Sequence, residues 1–266
     1  MILYQNRRMN WIILEEFEKN GSSQYLLDSI KSNHVKNILR KKAGETIKVI
    51  IPNIKKTITK IIQISDDRVL VENPLTTEFH TKLTSEDRPQ EEKMLAATRL
   101  ILPLPRPQTG KKILHLIGCY GVSQVVFLLP QSHNKEFLTS PTYKDVGIWK
   151  ELKNGMEQSG SYLVPEIKIL PLNLKQFIEK NISSLKFALD PKFPDSFYNM
   201  DLSYQERINQ NFKIDIYLGS ESGNTEEDLI LLEKYCRVFS LGNTVLRTEY
   251  AIANILGILQ GKGGRK

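Results

Sequence analysis

Three short segments in the second half of the chain combine glycine with charged residues at the ends of predicted strands. The first, Gly219-Ser220-Glu221-Ser222-Gly223, follows a strand and precedes a helix that Thr225 and Asp228 can cap. The second is Leu241-Gly242-Asn243, and Val245-Leu246-Arg247-Thr248-Glu249 comes directly after it. Glycine lets a ligand approach the main chain, and ligands of open α/β sheets bind beyond the carboxyl ends of strands. The sequence therefore predicts one pocket, although each segment alone also suits an ordinary turn or a surface ion pair.

Other kinds of site are excluded by spacing. The 219–223 segment lacks both the G-x-G-x-x-G dinucleotide pattern and the G-K-[ST] of a phosphate loop. Cys119 and Cys236 stand alone, so we expect no metal site and no disulfide scaffold. The N-terminus has no apolar signal region and no apolar run is long enough to span a membrane, so we expect a cytoplasmic protein without a membrane partner.

Positive charge is concentrated in one window. The net charge is +7, and residues 31–60 hold nine basic residues against Glu45 alone, a local charge of +8. The rest of the chain sums to −1. A charge confined to one stretch is typical of phosphate contact, but a solvated surface would have the same composition.

The first part of the chain reads as short strands around one helix. Residues 11–14, 46–51, 57–64 and 68–71 are rich in β-branched residues and bounded by turn residues. Residues 32–42 read as a helix that Ser32 or Asn33 caps and Gly44 ends. This pattern predicts a small β-barrel with Arg40, Lys41 and Lys42 at the helix end and Lys55-Lys56 in a hairpin loop.

Strands and helices alternate in the second part, after a polar linker at 76–90. The pattern predicts a mostly parallel sheet with helices on both faces. The predicted strands are 95–102, 124–129, 166–170, 185–189, 214–218 and 238–241. The predicted helices are 107–120, 146–156, 174–180, 225–235 and 246–260, and residues 191–211 and 261–266 read as irregular.

Taken in order, these segments resemble a known family. The glycine loops and the run Val245-Leu246-Arg247-Thr248-Glu249 are similar to the C-terminal signature of the SPOUT-class methyltransferases that modify uridine N3 in small-subunit (16S) ribosomal RNA. His34-Val35-x-x-Ile38-Leu39-Arg40, Glu157-Gln158-Ser159-Gly160 and Leu189-Asp190-Pro191 fit upstream. The resemblance covers nearly the whole chain.

The resemblance implies the architecture and the cofactor. It implies a PUA-like RNA-binding β-barrel at 1–85, a trefoil-knotted α/β methyltransferase domain at 90–266, and a homodimer with its active site at the subunit interface. It also implies that S-adenosyl-L-methionine binds among the three loops. The candidate contacts are Leu189, Leu218, Gly219, Glu221, Gly223, Leu241, Gly242, Val245, Leu246 and Arg247.

Methylation of uridine N3 needs a group that stabilises negative charge on the flanking carbonyl oxygens as the N3 proton leaves. Arg247 is our candidate for this role, and Glu221 or Glu249 for accepting the proton or orienting Arg247. The sequence does not choose between the two carboxylates. Binding of ribosomal RNA or of the small ribosomal subunit would come from phosphate contacts. The candidates are His34, Arg40, Lys41, Lys42, Lys55 and Lys56.

Three serines keep other functions open. Ser220 and Ser222 stand where the family has proline and glycine, and Ser161 stands where it has arginine. These differences allow a weakened homologue that acts as an RNA-binding or assembly factor, or a methyltransferase with another RNA target. A third possibility is a small-molecule enzyme whose basic window is merely solvated.

Overall fold

The computed structural model describes residues 11–76, 90–129, 135–181, 185–200 and 213–263. Within them lie two six-stranded sheets, each with its own apolar core. The first sheet is built from residues before 73 and the second from residues after 97. Most of the predicted linker lies outside the described residues, so the domain boundaries at 85 and 90 stay a prediction.

The first sheet is mixed, with the strand order β1-β4-β5-β6-β3-β2. Tyr25, Val49 and Ile61 of this sheet form one buried cluster with Val35, which follows in the helical segment after β3. Among the described strands β1 and β2 remain the two edges, so closure into a barrel stays a prediction. The strands are β1 (Ile12–Ile13), β2 (Lys19–Asn20), β3 (Gln24–Leu27), β4 (Thr46–Ile51), β5 (Lys55–Ile64) and β6 (Val69–Glu72).

The predicted helix at 32–42 is wrong at both ends. Helix α1 (Ser29–Asn33) begins after Asp28, whose carboxylate accepts a hydrogen bond from the Lys31 amide, and a π-helical turn continues it over His34–Ile38. Ser32 is not a cap, because its hydroxyl is buried and donates to the Leu27 carbonyl at 3.1 Å. A helix-starting aspartate was a stronger signal than the serine.

Lys55 and Lys56 do not lie in a hairpin loop, as the sequence predicted. They are the first residues of β5 and pair with Ile51 and Ile50 of β4. Because side chains alternate along a strand, the two lysines project from opposite faces. The turn is formed by Pro52, Asn53 and Ile54, and Asn53 adopts a left-handed φ of 58°.

All strand pairs of the second sheet are parallel, in the order β12-β10-β11-β7-β8-β9, which agrees with the predicted parallel sheet. Its strands are β7 (Thr98–Pro103), β8 (Gln124–Leu128), β9 (Glu166–Leu170), β10 (Leu185–Leu189), β11 (Ile214–Tyr217) and β12 (Arg237–Phe239). The predicted strand at 95–102 begins too early, because Leu95 belongs to the preceding helix.

Helices cover both faces of the second sheet, because alternate strand residues enter two clusters. Leu100, Phe127 and Ile216 pack on one side, and Ile101, Val126 and Tyr217 pack on the other. The helices are α2 (Gln90–Ala96), α3 (Pro107–Tyr120), α4 (Asp145–Ser159), α5 (Leu174–Lys180), α6 (Glu226–Tyr235) and α7 (Thr248–Gly263). Helix α7 extends into the predicted irregular tail, and residues 264–266 lie outside the described range.

The two sheets are joined by a shared interface. Ile13 and Ile50 of the first sheet cluster with Met156, Tyr162 and Leu163 of the second half. Main-chain bonds add to this apolar contact: Asn53 donates to the Tyr162 carbonyl at 2.7 Å. Among the described residues, no helix combines the length and apolar character needed to cross a membrane.

Candidate active site

Parallel pairing places the carboxyl ends of neighbouring strands at one edge of the second sheet. Strands β12, β10 and β11 are adjacent, and their last residues, Phe239, Leu189 and Tyr217, lead into the loops at 240–247, 190–196 and 218–225. Strand order therefore brings together three loops whose first residues, 190, 218 and 240, lie well apart in the chain.

These loops enclose a cavity of about 360 Å³, here called the loop cavity. This volume lies within the range of small-molecule sites. Of the ten predicted cofactor contacts, nine line the loop cavity: Leu189, Leu218, Gly219, Glu221, Gly223, Leu241, Gly242, Val245 and Leu246. Arg247 lies outside this wall and lines a neighbouring cavity.

Two glycines of the wall need their glycine conformation. Gly223 has a φ of 91° and Gly242 a φ of 105°, and a Cβ added to either would meet no atom within 4 Å. Glycine is therefore required at both positions by the backbone conformation, and the absence of a side chain leaves the main chain accessible from the cavity. Gly219 differs, because a Cβ there would lie 2.8 Å from the Asn224 side chain.

Ser220 and Ser222 brace their loop. Their hydroxyls lie 2.9 Å apart, and the Ser220 hydroxyl donates to the Gly223 carbonyl at 2.9 Å. Ser222 is exposed, and the cavity that it lines is open. The serine side chains therefore stabilise the turn without filling the space between the loops.

Asn224 and Asp190 connect two of the loops; the sequence analysis named Asp190 only as part of the Leu189-Asp190-Pro191 motif and did not select Asn224. The Asn224 amide donates to the Asp190 carboxylate at 3.0 Å and to the Leu189 carbonyl at 3.3 Å. Asp190 is buried and also accepts from the Lys192 amide. A polar residue directly after a buried strand was the available signal.

Glu221 ties its loop to the start of α3. Its carboxylate accepts a 2.6 Å hydrogen bond from the Thr109 hydroxyl and lies 3.2 Å from Arg106 Nε. Arg106 follows β7, which neighbours β11 in the sheet. The Tyr143 hydroxyl fixes the segment that precedes Arg106 by donating a hydrogen bond to the Pro105 carbonyl at 2.5 Å. Glu221 thus contacts Arg106, and not Arg247 as one sequence hypothesis allowed.

Glu249 is buried at the start of α7 and pairs with Lys112 at 3.1 Å. Burial by itself raises the pKa of this carboxyl. The amide at the helix start, Lys112 and the nearby Arg247 outweigh burial and hold the pKa below its usual range. Glu249 is therefore a carboxylate at neutral pH.

Arg247 is exposed, and its carbonyl accepts the first hydrogen bonds of α7, from the amides of Tyr250 and Ala251. Within the described part of the chain, its guanidinium has no recorded hydrogen bond or salt bridge. Arg247 lines a second cavity of about 670 Å³, here called the side cavity, together with Glu221, Thr248 and Glu249. The three predicted catalytic residues therefore share one cavity.

The predicted RNA contacts fall into two groups. Arg40, Lys41 and Lys42 lie beside the Thr46–Lys60 end of the β4–β5 hairpin, where the Gly44 amide donates to Ile61. Lys55 and Lys56 lie at the opposite end, five residue pairs away, which corresponds to about 17 Å along the strands. In the first group, Lys41 Nζ lies 3.7 Å from Glu45 Oε1. His34 is half-buried, and burial lowers its pKa.

Comparison with protein families gives a clear result. A family model for an RNA methyltransferase domain matches residues 91–260, which is more than half of the chain and contains every loop of the site. The chain belongs to the RNA methyltransferase domain family. This membership confirms the family that the sequence motifs indicated.

Individual relatives are more distant. The Ribosomal RNA small subunit methyltransferase E 1 of Borreliella burgdorferi is 26% identical over 165 residues, which span 60% of this chain and 66% of that protein. The match thus covers just under two thirds of the relative.

Two solved structures share the fold over almost the whole chain. A Ribosomal RNA small subunit methyltransferase E from Neisseria gonorrhoeae, bound to S-adenosyl methionine, has a TM-score of 0.66 at 18% identity and covers 95% of this chain and 97% of its own. A Legionella pneumophila protein in complex with the bound cofactor SAM has a TM-score of 0.67 at 20% identity, covering 96% and 98%. Their likeness extends to both sheets.

Proposed function

We propose that this protein is an S-adenosylmethionine-dependent RNA methyltransferase that methylates N3 of a uridine in small-subunit (16S) ribosomal RNA. The observation that carries the proposal is the loop cavity, formed by three main-chain-rich loops inside a matched RNA methyltransferase domain. The name of the Borreliella burgdorferi relative supports ribosomal RNA as the substrate. The order of motifs supports the N3 position.

The wall of the loop cavity fits S-adenosylmethionine chemically. Leu218, Leu241 and Leu246 offer apolar contact, and the open backbone at Gly223 and Gly242 offers amide and carbonyl groups. Asp190 and Glu221 add carboxylates, which suit a cationic ligand. We propose that the nine lining contacts hold the cofactor and that Arg247 acts on the RNA side.

When bound, S-adenosylmethionine supplies an electrophilic methyl group: the nucleophile forms a bond to this carbon as the carbon–sulfur bond breaks and leaves a thioether. The residues of the side cavity then have two tasks. Arg247 stabilises negative charge on the uracil carbonyl oxygens as the N3 proton leaves. Glu221 or Glu249 receives that proton directly or through water, and Lys112 keeps Glu249 in place.

RNA phosphates would bind along the outer face of the β4–β5 hairpin. Lys56 and Lys60 are exposed on this face, and Lys48 lies opposite the exposed Ile58 between them. We propose that RNA runs along this strip from the Arg40–Lys42 group, with His34, to Lys56, whereas Lys55 projects from the opposite face of the hairpin. We expect binding to weaken steeply with salt, since phosphate contacts release counterions.

The remaining implied features belong to the same proposal: a PUA-like barrel before residue 85, a trefoil knot, a homodimer and a cytoplasmic location where ribosomal RNA is present. The path after β10 supports a knot. There the Phe197 amide donates to the Ser240 carbonyl and the Ser240 amide to the Asp195 carbonyl, so the segment after β10 pairs in parallel with the segment that leads into the loop at 241–247. Exposed Val245 and Tyr250 beside the site support a subunit contact.

The test is methylation of unmodified small ribosomal subunits in the presence of S-adenosylmethionine, followed by mapping of reverse-transcription stops. Methylation at N3 blocks the pairing edge of uracil, so the wild-type protein should produce one strong stop. Arg247→Ala should reduce this stop by about a hundredfold or more, the effect of losing an oxyanion-stabilising donor.

The matched control is Arg237→Ala. Arg237 is also exposed, but it is the first residue of β12 and therefore lies at the amino ends of the strands, opposite the site. It should leave the stop unchanged. An unchanged stop in Arg247→Ala would remove Arg247 from the mechanism, and no stop with wild type would contradict the N3 assignment.

A second candidate is a methyltransferase with a different RNA target. Ser161 favours it, because this residue lies against Gly121 where the family has an arginine, and a hydroxyl cannot replace a cationic RNA contact. Methyl transfer to total RNA without transfer to small subunits would select this alternative. RNA binding without cofactor binding in calorimetry would select an RNA-binding or assembly factor.

A further inference from the structure

Beyond the loop cavity, two neighbouring cavities are both lined by Phe137. The side cavity is lined by Phe137 and by residues at the start of α3, and a third cavity of about 600 Å³ is lined by Phe137, Glu136 and residues 103–106. Both also touch Glu221 and Thr248, which line the loop cavity. A group in this space therefore lies directly beside the proposed methyl donor.

Phe137 is the only aromatic residue among the described residues that line the three cavities. It belongs to a 3₁₀ turn, Lys135–Thr139, that is closed by the Ser140 amide donating to the Phe137 carbonyl at 3.1 Å. The side chain is half-buried and packs on the core of the second sheet. The ring is thus held from behind and accessible from the cavity.

Three cationic side chains share the side cavity with this ring. Arg106, Lys112 and Arg247 line the side cavity together with Phe137. Arg106 is paired with Glu221, but its side chain is 76% exposed, so a second anion can reach it. A cavity that holds an aromatic ring and several cations suits a nucleotide, because the base can stack on the ring while the phosphate binds a cation.

We propose that Phe137 is the stacking platform for the unstacked target uracil, and that Arg106 contacts the phosphate beside it. The proposal rests on the proposed function, since it identifies the acceptor subsite of the same reaction. An enzyme that acts on the pairing edge of a base must take that base out of the stack, and an aromatic ring replaces the lost stacking energy. Phe137 is a substrate-binding residue in this account and has no part in proton transfer.

The experiment measures binding of two short single-stranded RNAs, identical except that one carries a single uracil and the other an abasic site there. Phe137→Ala and Phe137→Leu should weaken binding of the uracil RNA by about 5- to 150-fold, the usual range for one stacked base. Both variants should bind the abasic RNA as wild type does. Phe137→Trp should keep or improve uracil binding.

Three controls separate stacking from other effects. Phe137→Leu keeps apolar packing without an aromatic face, so it guards against simple misfolding of the alanine variant. Phe17→Ala removes a 73% exposed ring from the 3₁₀ turn Glu16–Glu18 in the first half of the chain and should not discriminate between the two RNAs. Affinity for S-adenosylmethionine should be unchanged in all Phe137 variants, because Phe137 does not line the loop cavity.

The stacking role would be overturned if Phe137→Ala and Phe137→Leu weakened binding of both RNAs equally or weakened neither. It would also be overturned if Phe137→Trp lost uracil binding as the alanine variant does. Loss of the proposed function would look different, because wild type would then fail to bind S-adenosylmethionine whatever the RNA result.

Discussion

At the residue scale, the site depends more on main-chain conformation than on reactive side chains. Gly223 and Gly242 hold left-handed conformations that shape the loop cavity, while Ser220 and Ser222 bond to each other. The charged residues have more specific roles. Glu221 fixes its loop to Arg106 and Thr109, and Glu249 is fixed by Lys112, which leaves Arg247 as the cation with the greatest freedom to meet a substrate.

Gly223→Ala and Gly242→Ala should each destabilise the protein by about 1 kcal/mol, because a left-handed φ is strained for alanine. They should also weaken S-adenosylmethionine binding, measured by calorimetry, since the loop must shift to relieve that strain. Gly261→Ala is the matched control: this glycine lies inside α7 with open space around it, so alanine should stabilise by about 0.5–1 kcal/mol. Unchanged affinity in both loop variants would argue against these turns as the cofactor cradle.

At the element scale, the sheet edge opposite the site is fixed by a buried ionic cluster. Arg99 of β7 forms two hydrogen bonds with Asp215 of β11, at 2.8 and 2.6 Å. Asp215 is fully buried and also accepts from the Asn181 amide at the end of α5. The cluster links two neighbouring strands and a helix. It therefore helps set the strand order on which the loop cavity depends.

Arg99→Met should lower the free energy of unfolding by about 3–5 kcal/mol, because it leaves the buried Asp215 carboxylate without its cation. Urea unfolding measures this. Lys168→Met is the comparison: Lys168 forms an exposed pair with Glu166 at 3.1 Å, and its loss should cost about 1 kcal/mol or less. Equal costs for the two variants would mean that the buried cluster is not a structural determinant.

At the scale of the whole molecule, Glu15 couples the two sheets. Its carboxylate accepts hydrogen bonds from Lys31 in the first half, at 2.7 Å, and from Trp149 and Lys153 of α4, at 2.9 and 2.8 Å. Burial alone raises the pKa of Glu15, but these donors together lower the pKa from 4.5 to about 2. The same contacts tie α1 of the first half to α4 of the second half.

This shift fixes the direction of a pH effect. Because the pKa is lower in the folded protein, the contribution of Glu15 to stability is complete above about pH 4.5 and is lost as the pH falls towards about 2. Glu15→Gln should therefore be less stable than wild type at neutral pH, by about 2 kcal/mol, and the difference should shrink in acid. Thermal unfolding of both proteins across this pH range measures it.

Glu16→Gln is the control, because Glu16 neighbours Glu15 but is exposed and pairs only with Lys19 among its recorded contacts in the described chain. It should change stability little at any pH. A pH-independent gap between Glu15→Gln and wild type would contradict the ionic coupling.

The sequence by itself determined most elements of the second sheet and the identity of the family. Strands β9 and β10 and helices α3 and α5 begin and end where hydrophobic pattern, proline and glycine placed them, because these signals are local. The loops 219–223, 241–243 and 245–249 were recognisable only as a set, since each segment alone also suits an ordinary turn or a surface ion pair.

Only the tertiary structure decided which side chains meet. The position of Lys55 in a strand and the partners Arg106, Asn224 and Phe137 depend on contacts between segments far apart in the chain. Strand order in a parallel sheet results from the packing of all helices and strands together, and no local pattern encodes it. Strand order is therefore the reason that Glu221 meets Arg106 while Arg247 remains free for the substrate.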